Sequence, residues 1–364
     1  MTLWPLPSDT ESNSKLEIRM SKQTRNSNRE GPVHPAPSNF GFRNCFGFRI
    51  SDFEFLSRHF REISVAFALL LLLLALVLFA PAFFSPQPLL SRLTREAPAL
   101  LVACGIALVI ICRQVDISVG SQFSVCSVCV GLLAAHGWSL SLLLLASILI
   151  GALLGAFNGL LVAGLRLPSI VVTLATMVIL REGLRWVRQG QFVNLPENLQ
   201  WFGLSQRFGQ LLLISLSLLL LTLLIFVLRY AAAGRFIYAV GSDAEAARLA
   251  GVHPQLVTFL VFVFTGALVG LASLMNIVQS PQVDPNSGSG LELKVIAAAV
   301  VGGVAVSGGR GNLFGVFLGL LLLGCINPGL IYLRIEAYWE KAIQGAIILL
   351  AVVAEGFRTR RQSS

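Results

Sequence analysis

Charge is what this chain has least of. Only 12% of its 364 residues are Asp, Glu, Lys or Arg, against about 25% in an average soluble domain. So few charges exclude disorder, a nucleic-acid module and an ordinary cytosolic enzyme as readings of the body. The formal net charge of +9 is scattered rather than striped, which argues against a nucleic-acid partner. Sites for chemistry are also missing. No GxxxxGK[ST] occurs, so the chain has no P-loop. His34, His59, His136 and His253 lack metal-ligand spacing. No Ser/His/Asp set or carboxylate pair stands out. The chain therefore reads as a non-enzyme with no metal and no cofactor. Cys126 and Cys129 form C-x-x-C, but inside an apolar run, where cysteine behaves as a small hydrophobe rather than a redox group. The first thirty residues contain no apolar stretch with a small-residue cleavage site, so they are not a secretory signal.

What the chain does have is apolar runs. Hydrophobic residues make up 55% of it, and the mean hydropathy is +0.78. The runs are Ser64–Ala80, Ala97–Cys112, Ser118–His136, Leu140–Gly164, Pro168–Trp186, Leu211–Leu228, Leu256–Val278, Leu291–Ser307, Asn312–Leu330 and Ala337–Phe357. Lipid offers no partner to backbone N–H and C=O, so such runs must be helices. The fold class is an all-α polytopic membrane protein with about ten transmembrane helices, surrounded by membrane lipid. Gly151, Ala152, Gly155, Ala156 and Gly159 allow the fourth helix to approach a neighbour closely. Residues 1–52 are polar and Pro-rich. They read as a disordered extension, either a dispensable cytoplasmic tail or the product of an upstream start codon. Residues 53–358 form the transmembrane domain and 359–364 a cytoplasmic tail.

Basic residues set the orientation. The first 62 positions carry nine Lys/Arg. Arg229, Arg235 and Arg248 follow the sixth run, and Arg358, Arg360 and Arg361 close the chain. Ten crossings put all three groups on one side, which is cytoplasmic by the positive-inside rule. Both termini then face the cytoplasm and the chain sits in the cytoplasmic (inner) membrane. Arg185, Arg188 and Arg207 disagree with this parity, unless they pair with Glu182 and Glu197 or the fifth run is misplaced.

Polar residues inside the runs are candidates for a translocation path or gate. Asp116, Ser118 and Ser121 lie between the second and third runs. They serve either as a gate or as the cap of a helix start. Asn158, Thr173, Thr176 and Asn276 carry donors and acceptors without charge, suited to a polyol or to interhelical hydrogen bonds. In the loop after the sixth run, Ser242 or Asp243 would cap a short helix over Ala244–Ala250, with Gly251 at its end. Such a helix, outside the membrane and Ala-rich on one side, suits docking into a groove of another protein, the alternative being a surface helix that covers the ends of the bundle.

Glu245-Ala-Ala followed by Gly251 resembles the EAA-type loop of importer permeases of the ATP-binding cassette class. Gly234-Arg-Phe-Ile-Tyr-Ala-Val-Gly resembles their ribose-type, simple-sugar branch. Val115–Ser121, Leu167–Thr176 and Ile296–Gly311 agree in motif and order, over roughly residues 53–358. Arg113–Ser121 and Leu333–Trp339 look closer to the autoinducer-2 permeases of the same branched-chain amino acid/ribose-type family. The later Ile-x-Leu-Pro element of other importer branches is absent. The resemblance implies two cytoplasmic ATPase subunits, a periplasmic or extracytoplasmic solute-binding protein and a second permease copy, in a homo- or heterodimer. It also implies that Gly234, Arg235, Asp243, Glu245, Ala246, Ala247, Arg248 and Gly251 form the ATPase-coupling loop. The expected function is alternating-access import of a simple sugar or sugar-like molecule, with ATP hydrolysed elsewhere. The import direction comes wholly from this resemblance. The rival reading is an ion-coupled secondary transporter, which needs a mid-membrane carboxylate such as Asp116.

Overall fold

The structure, a computed structural model, describes residues 50–332 and isolated positions between 336 and 353. Most of the N-terminal extension, the tenth run Ala337–Phe357 apart from a few positions, and the tail lie outside the described residues. The helices are α1 (Ile50–Phe79), α2 (Pro86–Ile111), α3 (Val119–Ala135), α4 (Leu140–Gly159), α5 (Ser169–Arg188), α6 (Gln206–Tyr230), α7 (Ala232–Ser242), α8 (Ala244–Leu249), α9 (Pro254–Ile277), α10 (Leu291–Val301) and α11 (Leu313–Tyr332). A π turn over Leu160–Gly164 extends α4. Among the described residues five helices are long and apolar enough to cross a membrane: α2, α4 with its π turn, α6, α9 and α11.

Helix α2 is the axis of the bundle. Every residue from Ala97 to Cys112 is buried, as expected of a helix that is apolar on all sides. α6, α9, α10 and α11 pack around it. Pro98 interrupts its ladder, since proline cannot donate to the carbonyl of Thr94. The amide of Gln279 donates to that carbonyl instead, at 3.3 Å. From Ile63 onward, α1 buries a narrow stripe, Val65, Leu69 and Leu76, and leaves Leu70, Leu74 and Leu78 exposed. That is the pattern of a helix with one face on protein and the rest on lipid.

The small residues of the fourth run act as expected. Gly151 and Gly155 of α4 lie directly on Gly266 and Gly270 of α9, backbone against backbone. Thr265 of α9 donates to the Gly105 carbonyl of α2 at 3.1 Å. Without a hydrophobic drive between helices in lipid, such close contact and hydrogen bonding hold the pair.

The eighth run departs from expectation. Only Leu291–Val301 is helical, eleven residues, or about 16 Å at 1.5 Å per residue. A hydrocarbon core is about 30 Å thick. The chain before α10 holds Pro281, Pro285, Gly288 and Gly290, which cannot sustain a helix. This stretch runs antiparallel to α3 instead. Val283 lies beside Gly131, and Gly288 beside Gly120. Ser124 accepts from the Gly288 N–H at 3.0 Å. At its top, Gln282–Val283 pairs antiparallel with Val193–Asn194, Val193 opposite Val283.

The basic residues that disturbed the parity are largely satisfied locally. Arg185 pairs with Glu182 at 2.8 Å. Arg188 donates to the carbonyls of Gln191 and Phe192. Glu197 opens a short 3-10 turn, Glu197–Gly203, and is not the partner of either.

Candidate functional site

Six of the seven candidate path residues meet where α3, α4, α5 and the loop 113–118 converge. Ser118 is the hub. Its hydroxyl donates to Asp116 Oδ1 at 2.5 Å and accepts from Asn158 Nδ2 at 2.8 Å and Gln122 Nε2 at 2.7 Å. The hydroxyl of Thr176 lies 2.8 Å from Asn158 Oδ1 and 2.9 Å from the Val172 carbonyl. Thr173 bonds the Ser169 carbonyl at 2.9 Å, and Ser121 bonds that of Met177 at 3.0 Å. All six are buried, as is Gln122. Asn276, half-buried near the C-terminal end of α9, does not join them.

The local geometry corrects one expectation. Asp116 does not cap α3. It takes the Ser118 N–H on Oδ1 at 2.8 Å, a two-residue turn of the kind Asp favours, and Ser118 stands at the cap position without its side chain capping the helix. The loop is thus folded on its own carboxylate before the helix begins.

The second site is the arm formed by α7 and α8. Asp243 caps α8, its Oδ1 accepting from the N–H groups of Glu245 at 2.9 Å and Ala246 at 3.0 Å. The other end closes with two bonds, Gly251 N–H to the Arg248 carbonyl and Val252 N–H to that of Ala247, each 3.0 Å. This pattern needs a left-handed residue after the helix, and Gly251 has φ +86°. Leu249 therefore ends the helix, Ala250 is its cap and Gly251 the residue beyond, so the helix stops one place earlier than the sequence suggests. Glu245 and Arg248 form an ion pair on the exposed face. That contact holds the Arg248 proton more tightly than usual.

Only Ala247 of α8 is buried. It packs with Val240 of α7 and Cys112 at the end of α2. Cys112 stands four residues before Asp116, so the arm and the buried network are joined through one short loop. α7 is fixed to the same place. Tyr238 donates to the Gly311 carbonyl at 2.7 Å, and Gly309 N–H caps the Ile111 carbonyl at 2.8 Å. Gly241 has no room for a side chain, since a Cβ would strike the Ile111 backbone. Gly234, Arg235 and the rest of the first coupling stretch lie in α7 rather than in a loop.

Two ion pairs escaped the sequence reading. Arg181 of α5 meets Glu292 of α10 at 2.9 Å, and Lys294 of α10 meets Glu96 of α2 at 2.7 Å. In each pair the second carboxylate oxygen, Oε2, is buried without a partner among the described residues. The signal was present: Glu292, Lys294 and Arg181 are ionisable residues inside apolar runs, which by default mark function or specific pairing. Cys126 is buried and Cys129 half-buried, both as free thiols.

Residues 89–352 match the family described as "Branched-chain amino acid transport system / permease component". Curated relatives are the "Autoinducer 2 import system permease protein LsrC" of Enterobacter sp. (strain 638), 38% identical over 81% of this chain and 87% of the relative. The protein of the same name from Klebsiella pneumoniae is 38% identical over 81% of this chain and 86% of the relative. That from Escherichia coli O157:H7 is 34% identical over 81% and 87%. No solved structure matches the chain.

Proposed function

The chain belongs to the branched-chain amino acid transport system permease family, and we propose that it is the membrane subunit of an importer for a sugar-like molecule of the autoinducer-2 class. ATP is hydrolysed on a separate subunit that grips α8. A solute-binding protein delivers the substrate, and a second permease copy completes the path. The likeness to the autoinducer-2 permeases supports the substrate class.

One observation carries the mechanism. α8 is capped at both ends, exposed over most of its surface, and seated through Ala247 in a cluster with Val240 and Cys112. A helix fixed at its ends moves as a unit, so a partner that pulls on Glu245, Ala246 and Arg248 displaces Ala247 with them. Cys112 passes that displacement to the loop carrying Asp116 and Ser118. The network of Asp116, Ser118, Asn158 and Thr176 is then the closed gate, since it joins the loop to α4 and α5 by side-chain bonds alone. Thr173 and Ser121 seat α5 against the same loop and against α3. Asn276 lies further along the path, toward the other end of α9. Alternating access follows when the loop shifts and these bonds exchange partners.

Ten crossings fit this arrangement. α1 to α6 supply six and α9 the seventh. The stretch 279–301, extended first and helical after, supplies the eighth, α11 the ninth and the run 337–357 the tenth. The arm and both termini are then cytoplasmic. Residues 1–52 are dispensable for this function.

The test is ATP-dependent uptake of labelled autoinducer-2 into proteoliposomes holding the permease, its ATPase subunits and the binding protein. Glu245→Lys and Gly251→Pro are each expected to abolish uptake while membrane insertion stays at the parent level. Undiminished uptake by both variants would overturn the role of α8. Uptake that needs an ion gradient but no ATPase would overturn the importer reading itself.

A further inference from the structure

A cavity of about 300 Å³ lies between α6, α7 and α9, with Leu108 of α2 at its floor. Its wall is wholly apolar and includes Leu228, Ala233, Phe236, Leu260 and Phe264. Phe236, Leu260 and Phe264 are exposed, so the cavity opens outward, and none of the described residues fills it. Two arginines stand at the turn between α6 and α7, each next in sequence to a lining residue: Arg229 after Leu228, and Arg235 after Gly234. Both converge on Tyr230. Arg235 donates to the Tyr230 carbonyl at 3.4 Å, and the Arg229 guanidinium lies 5.6 Å from the Tyr230 ring centre. Neither has an acidic partner among the described residues.

We infer that this groove is a site for one anionic phospholipid, with an acyl chain between α6 and α9 and the phosphate on Arg229 and Arg235. The shape and the charge argue together. A concave, wholly apolar wall suits a hydrocarbon chain. Two guanidinium groups without acidic partners, at positions adjoining the lining residues, favour an anion, and arginine is well suited to phosphate. A second permease copy would need a carboxylate to meet them. The position matters because α7 forms one wall. A lipid seated there holds α7 against α6 and α9, and α7 leads through Asp243 straight into α8. The lipid would therefore steady the arm that the proposed function assigns to coupling. This inference rests on that reading for its cytoplasmic placement.

The full-length protein, purified in detergent, is titrated with phosphatidylglycerol and with phosphatidylcholine of the same acyl chains. Bound lipid is counted by native mass spectrometry. The parent is expected to prefer phosphatidylglycerol by about thirtyfold, as two surface arginines imply. Arg229→Gln with Arg235→Gln brings the two lipids to parity. Ala233→Trp, at an exposed position of the wall, removes the tightly held lipid, and Leu260→Trp does the same from the opposite wall. Equal binding of both lipids by the parent, or retention of phosphatidylglycerol by both tryptophan variants, overturns the site. So does a disulfide between two copies carrying Phe236→Cys, which would make the groove a protein interface. Labelling of that cysteine from outside only, with the lipid preference intact, would instead overturn the cytoplasmic placement.

Discussion

The buried network and the exposed arm hold their residues in opposite ways. Around Ser118 the side chains bond to one another across three elements, with none left exposed. In α8 the bonds are local, made by Asp243 and by the turn at Gly251, and only Ala247 reaches the rest of the molecule. The network can change only if several elements move together. α8 can shift as a piece without melting. Cross-element bonding suits a gate with two discrete states, whereas self-contained rigidity suits a lever.

The comparison breaks first at Asn158. Asn158→Leu removes the link from α4 to both Ser118 and Thr176. Ser118 keeps Asp116 and Gln122, and Thr176 keeps the Val172 carbonyl, so two hydrogen bonds are lost, at about 1 kcal/mol each. The expected loss of stability is about 2 kcal/mol, read as a lower midpoint of thermal unfolding in detergent. The folded fraction should also leak substrate without ATP. A tight, fully active variant would show that the network is only interhelical glue. Asp243→Ala comes next. Losing an N-cap costs about 1 kcal/mol, here confined to α8. Uptake should fall several-fold while the unfolding midpoint of the bundle stays put. A matching drop in the midpoint would mean that the arm belongs to the core after all.

The two sites were legible in the sequence to different degrees. The arm could be read residue by residue, because capping depends on neighbours in the chain. Asp243, Glu245 and Gly251 fall within nine positions, and only the last helical residue was misplaced. The network could be read as a set of polar residues but not as a set of contacts. Ser118, Asn158 and Thr176 are separated by 40 and 18 positions, and nothing local brings them together. Gln122 was passed over because one amide in an apolar helix looks like any other. α10 was misread for another reason. Leu291–Ser307 is apolar enough for a span, but glycines and prolines set where a helix ends, and hydropathy does not weigh them. Glu96 and Lys294 show the same blindness to pairing, since each looks costly alone and they meet only across α2 and α10.

The smallest expected effect sharpens the lever most. Glu245 and Arg248 are exposed and three residues apart on α8, a class of ion pair that contributes little to stability because water screens it. Glu245 strengthens the hold of Arg248 on a proton that it already keeps at any physiological pH. No pH dependence of folding is expected from Arg248. Arg248→Gln should therefore leave the unfolding midpoint unchanged in detergent at both mildly acidic and neutral pH. If uptake nevertheless falls when the ATPase subunits are present, the guanidinium acts on a partner, and the exposed face of α8 is a recognition surface. If uptake is unchanged, the grip on α8 rests on Glu245 and the alanines alone, and the lever needs no charge of that sign.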